Sequence, residues 1–141
     1  AAAGLGQRCE TAPGDFFESI PRGADAYLLQ HVLHDWDDHD ATRLLRRCAE
    51  AMSPGATLLI VETVMPERID ERHVRWLRRD LNMLVGPGGC ERSEAQYAVL
   101  LRDSGLRLRR STAALQHRLM EATHSDASSE VVPSHPTRCT S

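Results

Sequence analysis

A chain of 141 residues, 41% hydrophobic and 26% charged, has the make-up of one soluble domain able to bury most of its apolar surface. Its net charge of -3 and the absence of a clustered basic block argue against a nucleic-acid footprint, with Arg107, Arg109 and Arg110 read as a solvated strand face. No run approaches the length of a transmembrane helix, and the first residues lack the basic and apolar regions of a signal peptide, so neither a membrane nor export is expected.

Ala1 to Leu5 reads as the last turn of a helix, an odd way for a domain to begin, and the start is expected to be truncated. Cys9 to Ala12 is a short strand candidate, stopped by Pro13-Gly14, with Asp15-Phe16-Phe17 in the loop beyond its carboxyl end. Ala24 to Leu29 is an unbroken apolar strand that ends near His31, His34, Asp35 and Trp36. From Asp37 to Met52 the apolar positions Ala41, Leu44, Leu45, Cys48 and Met52 recur at helical spacing, with Asp37 as N-cap and Asp38 and Asp40 at the positive end of the helix dipole. Ser53-Pro54-Gly55 ends that helix.

Thr57 to Val64 is a β-branched apolar run of the kind covered on both faces, and strand, helix, strand makes a right-handed parallel crossover. A second helix is predicted over Glu71 to Val85, burying Val74, Leu77, Leu81 and Leu84 until Gly86-Pro87-Gly88-Gly89. Ser93-Glu94-Ala95-Gln96 has the form of a capping box for a third helix with Tyr97, Leu100 and Leu101 inside, stopped at Gly105. Leu106 to Arg110 and Arg118 to Ala122 are expected to form an antiparallel pair at the sheet edge. Beyond Thr123 the Ser-, Thr- and Pro-rich segment has little to bury and reads as a disordered tail over 124–141. The four cysteines, Cys9, Cys48, Cys90 and Cys139, form no Cys-x-x-Cys pair, so reduced thiols and a cytoplasmic setting are expected.

Ligands of open parallel sheets bind beyond the carboxyl ends of the strands. The polar residues there are Asp15 with Phe16, then His34, Asp35 and Trp36, then Glu62, with Glu91 able to fold back over the same edge. His34 steadied by Glu62 or Glu91 makes a general base; the plainer alternative is a histidine that caps a strand. Glu62 inside an apolar run needs a partner, either that imidazole or an arginine in a structural ion pair. Asp15 can accept from an exocyclic amine while Phe16 packs on a ring, or Asp15 can simply form a turn. The cluster His31, His34, Asp35, Asp37, Asp38 and His39 invites a metal reading, disfavoured because strand geometry points His31 and His34 apart and the acids already serve the helix start; no metal site is expected.

These blocks together, Gly14 to Phe17, Leu29 to Asp38, Ile60-Val61-Glu62, Asp80 to Leu84 and Gly88 to Glu94, resemble the class I S-adenosylmethionine-dependent O-methyltransferases that act on small molecules. The resemblance covers about Arg8 to Ala122. It implies an α/β, partial Rossmann-like methyltransferase fold: a mostly parallel sheet with an antiparallel edge hairpin and its amino-terminal strands missing. Residues 1–123 would be the carboxyl-terminal portion of the catalytic domain. It further implies His34 as the base that deprotonates an acceptor hydroxyl, Glu62 and Glu91 as the acids that orient it, and Asp15, Phe16, Gln30 and Trp36 as S-adenosylmethionine contacts. Gln30 stands where the family often has Lys. The implied acceptor is a small hydroxylated aromatic or polyketide-type metabolite, and the family's dimer forms through a helical domain with no counterpart here. The family's glycine-rich loop and ribose-binding acid likewise have no counterpart from Arg8 onward. Two other readings stand beside this one: a noncatalytic remnant acting as a binding module, and a His/Asp metallohydrolase.

Overall fold

The computed structural model describes residues 8–67, 88–115 and 117–125, together with Arg78, Leu81 and Val85 as single helical positions. A four-stranded sheet runs in the order β1-β2-β6-β5, from β1 (Ala26–Gln30), β2 (Thr57–Glu62), β5 (Leu106–Ala114) and β6 (His117–His124). β1 and β2 are parallel, whereas β6 is antiparallel to both β2 and β5, so the sheet is mixed, with the hairpin at its edge. A separate two-residue parallel pair joins β3 (Val64–Met65) to β4 (Arg92–Ser93).

Helix α1 (Asp38–Ala51) starts where the sequence places it, because the Asp37 carboxylate accepts from the Asp40 N–H at 2.9 Å. Helix α2 (Glu94–Asp103) opens on a complete capping box, Ser93 accepting from Gln96 N–H and the Gln96 side chain accepting from Ser93 N–H. Gly105, at φ 79, takes the left-handed stop that follows α2. Both helices cover one sheet face: Leu44, Leu45 and Cys48 of α1 and Tyr97 and Leu101 of α2 pack with Leu58, Ile60, Met120 and Ala122. Burial in that core pushes the Cys48 thiol up to about 12.

Several expectations fail for want of a neighbour. Cys9 to Ala12 is exposed and forms no strand, since a strand needs an edge to pair with and none among the described residues takes it. β1 begins at Ala26 rather than Ala24, and its outward face is open, with Leu28 59% exposed. The run from Thr57 breaks at Thr63, and the face of β2 carrying Leu59 and Val61 is only half-buried. Leu81, assigned by periodicity to an inner face, is 58% exposed. The remainder of that predicted helix, the turn at Ala1 to Leu5 and residues 126–141 of the expected tail lie outside the described residues, while His124, the first residue assigned to that tail, instead ends β6. Cys9 and Cys48 are free thiols, but Cys90 is disulfide-bonded, against the expectation of reduced thiols throughout. Among the described residues no helix is long and apolar enough to cross a membrane.

Candidate active site

The site grows from the way β1 ends. His31 extends the β1–β2 ladder by one bond, its N–H donating to Val61 C=O at 3.0 Å, and then turns back in the left-handed region at φ 52. A single 3-10 turn, Leu33–Asp35, follows and drives Leu33 fully into the core. That turn places His34, 9% exposed, over the end of β2.

Glu62, the last residue of β2, is 0% exposed, so its carboxylate must find donors inside the protein. Oε1 accepts from the N–H groups of Val32 at 3.0 Å and Leu33 at 2.9 Å, and Oε2 bonds His34 Nδ1 at 2.7 Å. A carboxylate only accepts, which assigns the hydrogen to Nδ1 and leaves Nε2 of a neutral imidazole as a lone-pair base. Asp35 Oδ1 lies 3.3 Å from Nε2, where it can bond that nitrogen only once it is protonated. The Glu62 hydrogen bond raises the His34 pKa above its ordinary value, burial opposes this, and the charges of Glu62, Asp35 and Glu91 add to the rise.

Glu91 reaches this region through the β3–β4 pair, whose register sets Val64 against Arg92. It is buried, and its charge is among those acting on His34. The close approach depends on Gly89: a Cβ there would collide with the backbone of His34, Asp35 and Trp36. Behind the acids stands Tyr97, whose phenol is held well above its ordinary range chiefly by burial and then by Glu62, with Arg92 opposing.

Asp15, Phe16 and Trp36, three of the four residues expected to meet a cofactor, form a second cluster with Phe17, joined to the first by the short segment from His34 to Trp36. Phe17 meets Trp36 edge-on at 4.7 Å between centroids, and Phe16, 40% exposed, lies 6.0 Å from the same indole. Asp15 Oδ1 accepts from Phe17 N–H at 2.8 Å, so Asp15 does form the turn that presents Phe16. Gln30 is exposed at the carboxyl end of β1. An open aromatic face beside an exposed carboxylate fits a planar base carrying an amine.

The structure also brings together residues the sequence reading set apart. His31 and His34 do not diverge: their ring centroids are 5.5 Å apart and His31 Nδ1 is 3.8 Å from Glu62 Oε2, because His31 has left the strand and side-chain alternation no longer applies. His31, His34 and Glu62 thereby form a group of potential metal ligands, although the short His34–Glu62 hydrogen bond already occupies the facing atoms. His117, at the start of β6, stacks edge-on against His31 at 4.5 Å and bonds Thr63 Oγ1 at 3.3 Å. Among the described residues the arginine alternative for Glu62 is not realised: its carboxylate bonds the His34 imidazole and two backbone amides, with His31 Nδ1 3.8 Å away.

Comparison with known proteins places the chain in a family. The family profile described as an O-methyltransferase domain matches residues 2–107. The chain belongs to the O-methyltransferase domain family. The mitomycin biosynthesis 6-O-methyltransferase of Streptomyces lavendulae is 55% identical to it over 108 residues, covering 77% of this chain and 30% of that protein. The phenazine O-methyltransferase PhzM of Lysobacter antibioticus is 44% identical over 110 residues, covering 78% of this chain and 32% of that protein. This O-methyltransferase-family chain thus spans about a third of the length of the curated relatives it matches. Among solved structures it superposes on the mitomycin 7-O-methyltransferase MmcR with a TM-score of 0.80 at 49% identity, over 88% of this chain and 36% of that one. It superposes equally on an O-methyltransferase of neocarzinostatin biosynthesis in complex with S-adenosylmethionine and a hydroxynaphthoic acid, with a TM-score of 0.79 at 37% identity, over 88% and 36% of the two chains.

Proposed function

We propose that this chain carries the proton-accepting part of an S-adenosylmethionine-dependent O-methyltransferase, which in its whole protein methylates a hydroxyl of a small aromatic or polyketide-type secondary metabolite. The observation that carries this is the 2.7 Å bond between His34 Nδ1 and the fully buried Glu62, which leaves Nε2 as the basic atom. The acceptor class rests on relatives whose names specify mitomycin, phenazine and naphthoate O-methylation.

S-adenosylmethionine, when bound, supplies an electrophilic methyl group on a sulfonium. His34 Nε2 would take the proton of the acceptor hydroxyl, and the resulting N–H would face Asp35 Oδ1, 3.3 Å away. Glu62 holds the ring from Nδ1 and stabilises the imidazolium, and Glu91 adds negative charge nearby. Asp15 and Phe16 would hold the adenine end, with Trp36 shaping the pocket and Gln30 contributing a polar contact. Because Trp36 and His34 share one short turn, the aromatic shelf and the base are fixed relative to each other, as an in-line transfer requires.

The test is a chimera in which residues 8–125 replace the matching segment of the Streptomyces lavendulae mitomycin 6-O-methyltransferase. The chimera should transfer methyl groups, and His34→Ala within it should lower kcat/KM by about a hundredfold to ten-thousandfold. Full turnover in H34A would refute the role of His34. A folded chimera without any transfer would assign the segment to the binding-module alternative.

A further inference from the structure

Arg92 heads the fully buried side chains by volume, at 0% exposure. A buried guanidinium needs acceptors for its five donors and a counter-charge, or it costs several kcal/mol. Arg92 finds them in the segment that carries His34. Nη1 donates to Leu33 C=O at 2.9 Å, Nη2 to Trp36 C=O at 2.8 Å and Nε to Asp38 Oδ1 at 2.9 Å. The two carbonyls bracket His34 in sequence.

The same turn is held on its other side by Glu62, which accepts the N–H groups of Val32 and Leu33. Its own backbone bonds are long, 3.3 Å from Asp35 N–H to Val32 C=O and 3.4 Å from Trp36 N–H to Leu33 C=O. A single 3-10 turn with such bonds does not hold its shape unaided. A carboxylate grips its amides, a guanidinium grips its carbonyls, and Gly89 lies against its backbone.

We infer that Arg92 is a positioning residue for methyl transfer, its planar fork fixing the Leu33–Trp36 turn so that the His34 imidazole stays seated on Glu62. This rests on the reading of His34 as the base. Lysine has one ammonium on a flexible stem and cannot span two carbonyls and a carboxylate in that geometry.

The experiment is an NMR titration of His34 in the chain with Arg92→Met and Arg92→Lys, beside Leu100→Ala as a core variant on α2 that lowers stability and removes no hydrogen bond of the turn. The charged and titratable groups facing His34 are Glu62, Asp35, Glu91 and His31. Losing the fork loosens the Glu62 bond, so the His34 titration should move down by roughly one pH unit in R92M, the size of one hydrogen-bonded charge partner, and part of the way in R92K. L100A should leave it in place. An unchanged titration in R92M overturns the inference. So does an upward move, which is what loss of a positive charge alone produces. Should R92M fail to fold, R92K decides alone: a downward move supports the inference and an unmoved titration overturns it. The titration does not depend on turnover, so a failure of His34 as the catalytic base would appear in H34A and not here.

Discussion

At the scale of the residue, the proton affinity of His34 is set by what surrounds it. Its raised pKa means that the folded protein binds the imidazolium more tightly than the unfolded chain does. The stability this supplies is fully present below the unfolded value of about 6.5 and is lost as pH rises through the higher folded value. Glu62→Gln should therefore flatten the dependence of melting temperature on pH across that window. It should also cost about 1–3 kcal/mol, because the amide still accepts from Val32 and Leu33 but gives up the charged partner of His34. Thermal melts at a series of pH values check both; a wild-type slope in E62Q would remove Glu62 from the pair. His34 and Glu62 were legible in the sequence, one as a polar stop to an apolar run and the other as an acid inside one. Glu91 was legible as an acid just past the glycine-rich break that can fold back over the same edge. Arg92 and Asp35 sat in blocks already singled out, yet nothing in periodicity says which buried carbonyls or ring nitrogen a long side chain will reach. His31 was misread because its φ of 52 turns the chain out of the strand, so that the alternation assumed from spacing no longer relates it to His34.

At the scale of the element, local chemistry was the readable part. The Asp37 cap, the Ser93–Gln96 box and the Gly105 stop each depend on residues within four positions of one another, and each forms as its residues dictate. The β3–β4 pair was not readable, since two residues carry no period and their partner lies far along the chain. Cys9 to Ala12 shows the converse: a strand pattern without an edge to pair with stays extended and exposed. These elements respond differently to substitution. Ser93→Ala should cost about 1 kcal/mol, read as a lower melting temperature, by removing one half of the box. Gly89→Ala should do more, because its methyl group forces the Gly89 and His34 segments apart. A downward shift of the His34 titration should accompany that loss of stability, and a G89A protein with wild-type titration and stability would contradict the packing described.

At the scale of the whole molecule, the order β1-β2-β6-β5 puts the ends of β1 and β2 beside the start of β6, which is how His117 comes to stack on His31. The antiparallel hairpin was expected from alternation, but its insertion of β6 against β2, with strands reaching Ala114 and His124, is a matter of long-range pairing that local pattern does not carry. Among the described residues β1 closes one edge of the sheet, and Leu28 on its open face is 59% exposed. An unpaired strand edge next to an apolar face favours pairing between copies. The chain on its own should self-associate, and Leu28→Lys should raise its monomer fraction in sedimentation velocity; a wild-type chain that is already monomeric would contradict this.

The claim that unites these scales is that the His34 imidazole, seated on Glu62, receives the acceptor's proton. The pH–rate profile of the chimera, with and without Glu62→Gln, addresses it most directly. Turnover should rise with pH through a single ionisation above the ordinary histidine value, as His34 loses its proton, and E62Q should move that rise to lower pH. A profile that is flat through this range, or one that E62Q leaves in place, would contradict it.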